Sequence, residues 1–147
     1  MISYVDTSVI LPALSAKHPM HRVCRATVVR AAEEGTVWTT TLHTYAELYH
    51  HLTKPSKQDI HFIPAKVEGL LLDTLPKILQ FVELSQQDYE AAIRRCARIA
   101  LVGAVIYDAL HFEAAIRCEA EVLYTDNTKD FTRLVLPDDT IRVQGVR

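Results

Sequence analysis

The chain has 147 residues, enough for one domain, and 49% of them are apolar, which supports a packed core and argues against disorder. A formal net charge of −2 gives no global basic signal for nucleic acid, and three scattered cysteines without a C-x-x-C pair support neither a disulfide framework nor a thiolate zinc site. No apolar run reaches membrane-spanning length, and Asp6 interrupts the N-terminus before a signal-type apolar region can form, so a cytoplasmic location is expected.

Met1 to Val5 reads as a short apolar strand, followed by the cap signal Asp6-Thr7-Ser8. A short helix over 9–16 breaks at His18-Pro19. The apolar spacing of Val23, Ala26, Val28 and Ala31 predicts a second helix over 20–34, stopped by Gly35. Thr36 to Thr39 is β-type, and Thr40 or Thr41 is placed to cap a helix running to about Leu52. Residues 54–64 are polar and bounded by prolines, which predicts a loop. Pro64 then suits the first turn of a helix reaching about Leu75. Ile78 to Val82 reads as a strand. Ser85 and Asp88 form a capping-box pattern that opens a helix to about Leu101. After a turn at Gly103, a helix over 107–117 precedes strands at 122–124 and 141–143. Strands alternating with helices predict a mostly parallel sheet covered on both faces, with ligands bound beyond the carboxyl ends of the strands.

Four acids stand in apolar surroundings. Asp6 and Asp126 end predicted strands, while Glu47 and Asp108 lie on predicted helices. Carboxylates are rarely buried alone, because desolvation of the charge is costly. Each has an ordinary explanation: Asp6 and Asp108 as helix caps, Glu47 as the partner of a lysine. Gathered in one crevice, however, four carboxylates would repel one another. A hard divalent cation such as Mg²⁺ or Mn²⁺ resolves that repulsion and can support displacement at phosphorus.

The segments Val5-Asp6-Thr7-Ser8, Ala46-Glu47, Gly103 through Ile106-Tyr107-Asp108-Ala109-Leu110, and Tyr124-Thr125-Asp126-Asn127 through Asp130-Phe131 resemble the PIN-domain family. More narrowly, they resemble VapC-type toxin ribonucleases. The segments follow the family's order and span nearly the whole chain. The resemblance implies a three-layer α/β/α sandwich around a mostly parallel sheet and a single PIN-like nuclease domain over 1–147. It also implies Mg²⁺- or Mn²⁺-dependent cleavage of an RNA substrate, a homodimer, and a small cognate antitoxin as partner. By position, Asp6, Glu47 and Asp108 match the three most regular family acids. Asp126 is taken as the fourth because it is charged and ends a strand. Asn127 and Asp130 remain alternatives for that place, and Ser8 is a candidate for orienting a water or simply capping a helix. A stand-alone RNA-processing nuclease and a non-catalytic PIN-like binding module are the rival readings.

Other residues were weighed for chemistry. His43, Glu47 and His51 share a helical spacing, but no H-E-x-x-H occurs and zinc catalysis is set aside. His111, three residues after Asp108, could face the site, but a partly buried structural histidine is the favoured reading. Arg94, Arg95, Arg98, Lys54 and Lys57 are read as solvated charge ahead of phosphate contacts. Leu48, Tyr49 and Leu52 are expected to offer anchors for the apolar segment of an antitoxin.

Overall fold

In the computed structural model, which describes residues 1–55 and 61–146, five strands form one sheet in the order β3-β2-β1-β4-β5. They are β1 (Ile2–Val5), β2 (Val37–Thr41), β3 (Gln80–Val82), β4 (Val122–Tyr124) and β5 (Arg142–Gln144). All four pairings are parallel, as the alternation of strands and helices predicts. The order runs outward from β1 to β3 on one side and from β4 to β5 on the other. The chain therefore reverses direction between β1 and β4, where a crevice opens beyond the strand ends.

The described residues hold seven α-helices: α1 (Thr7–Leu14), α2 (His21–Glu33), α3 (His43–Thr53), α4 (Pro64–Gly69), α5 (Gln86–Arg98), α6 (Val105–Arg117) and α7 (Thr128–Leu134). Side chains alternate across the central strand. Tyr4 faces a core built with Ala92, Phe112, Ala115, Phe131 and Leu134, under α5, α6 and α7. Val5 faces the opposite core, built with Val9, Trp38, Leu48, Leu52, Val67 and Leu71, under α1 to α4. The result is the expected three-layer sandwich.

Several local expectations hold. Pro64 sits in the first turn of α4, whose path continues through a wide π turn (Leu70–Thr74) and a tight 3₁₀ turn (Leu75–Lys77). Ser85 and Asp88 form the reciprocal capping box of α5. Others are corrected. Thr40 and Thr41 do not cap α3: both are buried within β2, where the Thr40 and Thr44 hydroxyls are 2.7 Å apart. The helix over 86–98 stops short of Leu101, because Ala100 adopts a left-handed φ of 53° and the Leu101 N–H turns back to the Cys96 carbonyl. α7 was not anticipated from the sequence.

Leu48 and Leu52 are fully buried and cannot anchor a partner, whereas Tyr49 is exposed. Arg95 is not solvated charge. It is buried and paired with Glu113 (2.7 Å) and Asp139 (2.6 Å), and it donates to the Leu134 carbonyl, tying α5 and α6 to the segment after α7. The predicted loop over 54–64 falls in part, and Lys57 entirely, outside the described residues.

Candidate active site

The switch point between β1 and β4 collects the polar groups. Val5 is in register with Tyr124, so the residues that follow, Asp6 and Thr125, emerge side by side. The Asp6 N–H donates to the Tyr124 carbonyl (3.0 Å), which fixes this junction. Asp6 stands at the N-cap position of α1 but makes no side-chain cap bond. Its carboxylate is nearly buried, with 6% exposure. Oδ2 instead accepts from the Ser8 hydroxyl (2.6 Å) and the Thr125 hydroxyl (2.9 Å). Ser8 Oγ also accepts the Asp126 N–H (3.0 Å), so this hydroxyl links α1 to the end of β4. Two neutral donors thus hold one oxygen of Asp6 without neutralising its charge.

Glu47 is tethered differently. It projects from α3, and its Oε2 accepts from the Thr7 hydroxyl and from His111 Nε2 (2.9 Å). His111, on α6, is buried rather than partly exposed, and its Nδ1 lies 2.6 Å from the Tyr4 hydroxyl. Tyr4 Oη in turn accepts the Thr41 N–H (3.2 Å). Burial works against a proton on His111, but the bond to Glu47 and the charges of Asp6, Glu47 and Asp108 lift its pKa above the ordinary value. In the imidazolium form both ring nitrogens donate, one to Tyr4 and one to Glu47. Burial would raise the Glu47 carboxyl. The hydrogen bond and charge of His111, with Thr7 and His43, outweigh it and hold that carboxyl at about 2.

Asp108, in the first turn of α6, has the opposite electrostatics. Burial pushes its carboxyl up, and the charge of Asp6 adds to this. His111 offsets part of the rise, and Asp130 and Glu47 add to it again, leaving the group at about 6. Asp130 lies in the first turn of α7. The amide of Asn127 (2.8 Å) and Arg133 (3.2 Å) hold its carboxyl below the ordinary range. Asp126 is half-buried at the end of β4. The crevice therefore brings Asp6, Glu47 and Asp108 within electrostatic reach of one another, with Asp126 bound through its backbone to Ser8.

The donor set suits a hard divalent cation. It is rich in carboxylate oxygens, and burial, with the charge of nearby acids, lifts the Asp108 carboxyl to about 6. Among the described residues, no three His, Cys, Asp or Glu side chains are already drawn to coordination spacing. Asp6, Glu47 and Asp130 are instead each held by separate hydrogen bonds.

Tyr4, Thr7 and Thr125 were not singled out from the sequence. Thr125 stood inside the recognised motif but served only as its marker. A tyrosine in a buried strand carries a hydroxyl that needs a partner, and this was the available signal for Tyr4. His111 was recognised as structural, but its bond to Glu47 was not.

A five-stranded parallel sheet with an acidic crevice at its switch point is the class of domain that fold and site define. The family model described as PIN domain matches residues 3–135, and the chain belongs to the PIN-domain family. Among solved structures it is similar to VapBC2 from Rickettsia felis, determined with a DNA fragment from its promoter, at 21% identity and a TM-score of 0.70, covering 99% of this chain and 98% of that one. It is also similar to Mycobacterium tuberculosis VapC20, described as a Sarcin-Ricin loop cleaving toxin, at 16% identity and a TM-score of 0.67, covering 95% and 98%. VapBC-1 from nontypeable Haemophilus influenzae matches at 17% identity and a TM-score of 0.66, covering 99% and 98%. Identities this low speak for the fold alone. No curated protein sequence matches the chain. No helix among the described residues is long and apolar enough to cross a membrane.

Proposed function

We propose that this chain is a Mg²⁺- or Mn²⁺-dependent endoribonuclease and the toxin of a toxin–antitoxin pair. The observation that carries the reading is the gathering of Asp6, nearly buried just beyond β1, with Glu47 and Asp108 around one switch point of a PIN-domain sheet. A fold tolerates such crowding most readily where a cation is meant to enter. Asp6, Asp108 and Asp126 would hold the ion, with Glu47 beside them. Bound there, it would supply a Lewis acid for charge building on a scissile phosphate and lower the pKa of a water.

The chain's own residues prepare that place. Ser8 and Thr125 fix Asp6 by Oδ2, while Oδ1 lies 3.9 Å from His111 Nε2. His111 and Thr7 fix Glu47, and the imidazolium reduces the charge that Glu47 contributes to the crevice. Asp126 is proposed as the fourth acid because it is charged and follows β4; Asp130, whose charge bears on Asp108, is the alternative. The similarity to VapBC2 and VapBC-1 supports a small antitoxin partner for this chain, and a homodimer is proposed with it from the family resemblance. A basic side chain of that antitoxin would pair with the carboxylates, so inhibition would compete with Mn²⁺.

The test is incubation of the purified chain with RNA and Mn²⁺, with the new ends mapped by sequencing, beside Asp6→Asn. The reading expects discrete ends carrying 5′-phosphates from the native chain and none from the variant. Equal cleavage by a folded, nuclease-free preparation of Asp6→Asn would remove the site assignment. A neighbouring small gene product that neither binds nor relieves growth arrest would leave a stand-alone nuclease. Failure of Mn²⁺ to bind at all would leave a non-catalytic module.

A further inference from the structure

Beside Glu47 lies a cavity of about 490 Å³ that the reaction chemistry does not use. It is lined by His43, Ala46, Glu47, His50, His51 and Tyr107. Four of these six carry flat rings. His43 and Tyr107 stack with centroids 5.8 Å apart and planes 2° from parallel. His50 and His51 meet edge to face at 5.0 Å. Tyr107 stands immediately before Asp108 on α6, and His43 stands one turn before Glu47 on α3. The stacked pair therefore bridges the two helices that deliver those acids. Tyr107 nonetheless remains 51% exposed, although an apolar ring of its size gains by being covered.

From this geometry we infer that the His43–Tyr107 pair is a stacking platform for an unpaired nucleobase of the RNA substrate, seated in the pocket beside Glu47. The inference rests on the nuclease reading of the adjoining carboxylates. Charge selects the part of a nucleotide that enters. The lining contains no lysine or arginine and does contain Glu47, so it disfavours a phosphate and accepts a neutral base. Single-stranded RNA is recognised in this way, by aromatic and imidazole rings against splayed bases, with polar groups meeting their edges. His50 and His51 are placed to supply those edge contacts.

The experiment uses the full chain in EDTA, with ¹H–¹³C spectra of the histidine and tyrosine rings recorded during titration. One probe is adenosine 5′-monophosphate and the other is ribose 5-phosphate, which has the same sugar and phosphate without a base. Adenosine monophosphate is expected to shift the His43, His50, His51 and Tyr107 signals, and ribose 5-phosphate to leave them in place. Tyr107→Ala should weaken nucleotide binding at least about fivefold, the scale of one lost base stack, while Tyr107→Phe keeps it within about twofold. The platform is overturned if ribose 5-phosphate reproduces the shifts, if the nucleotide moves none of these rings, or if Tyr107→Ala binds as tightly as the native chain. RNA cleavage measured on the same protein after exchange from EDTA into Mn²⁺ buffer separates the two ideas. Cleavage without base-dependent shifts removes the platform alone. Base-dependent shifts without cleavage keep the base pocket and remove the nuclease reading.

Discussion

Replacing Asp108 by asparagine should stabilise the metal-free protein. The folded carboxyl is raised from its ordinary 3.8 to about 6, so the fold disfavours the charged form. The sign follows from proton linkage. Below pH 3.8 the group is protonated whether the chain is folded or not, and it costs nothing. Between 3.8 and 6 the unfolded chain releases the proton first, and stability falls as pH rises. Above 6 the whole penalty is present. At about 1.4 kcal/mol per pH unit the displacement is worth about 3 kcal/mol as an upper bound. Asp108 is half-buried and partly reached by water, so about 1–2 kcal/mol is the expected gain. Urea unfolding in EDTA at pH 7.5 should place the Asp108→Asn midpoint above the native one with an unchanged slope. At pH 4 the two midpoints should nearly coincide. Saturating Mn²⁺ should reverse the order, since a ligand at a hundred times its Kd adds about 2.7 kcal/mol to the form that binds it. A variant no more stable than the native chain at pH 7.5, or a gain that persists undiminished at pH 4, would refute the argument that carboxylate crowding strains this site.

Further expectations concern single residues. With Asp126 as the proposed fourth acid, Asp126→Asn should weaken Mn²⁺ binding by calorimetry more than Asp130→Asn; the opposite order moves the fourth acid to Asp130, whose charge already bears on Asp108. His111→Phe should lower stability at pH 7 by about 2–3 kcal/mol, since it leaves the Glu47 carboxylate and the Tyr4 hydroxyl without their shared partner; chemical denaturation checks it, and a change under about 0.5 kcal/mol contradicts it. The Glu47 carboxyl is held at about 2 by its tether. Stability from that group is therefore complete above its ordinary value near 4.5 and fades as pH falls toward 2, and His111→Phe should lose this acid-limb dependence. Ala100→Gly should raise stability by about 0.5–1 kcal/mol, because the left-handed backbone there suits glycine, and an unchanged midpoint would count against the strain.

What could be read from the sequence was set by chemistry close along the chain. An apolar run ending in Asp6, and another ending in Thr125-Asp126, locate two strand ends and hence the crevice. Ser85 and Asp88 announce a helix by a contact three residues long, and Pro64 announces another by its fixed φ. α7 escaped because it has only seven residues and shows two buried side chains, Phe131 and Leu134, too few for a period to emerge. Thr40 and Thr41 suit a strand as well as a cap, and pairing with β3 decided between them. Arg95 and Asp139 pair across 44 positions, and Tyr4 meets His111 across 107. No local pattern encodes such partners.

The same long-range contacts explain why the acids differ in character despite their similar surroundings in the sequence. Glu47 is matched by His111 and Asp6 by two hydroxyls, with His111 Nε2 3.9 Å from its Oδ1, whereas Asp108 is raised by burial and by its acidic neighbours, which His111 offsets only in part. Compensation is therefore fuller at Glu47 than at Asp108. In the proposed reading a cation would gain most where charge is least compensated, beside Asp6 and Asp108, and Glu47 would shape the edge. The ringed pocket opens on that edge, where His111 has already reduced the negative charge of Glu47. If the proposed platform and cation site are both right, a base would approach there without meeting the full field of the acids, while the backbone phosphate next to it would be drawn toward the cation.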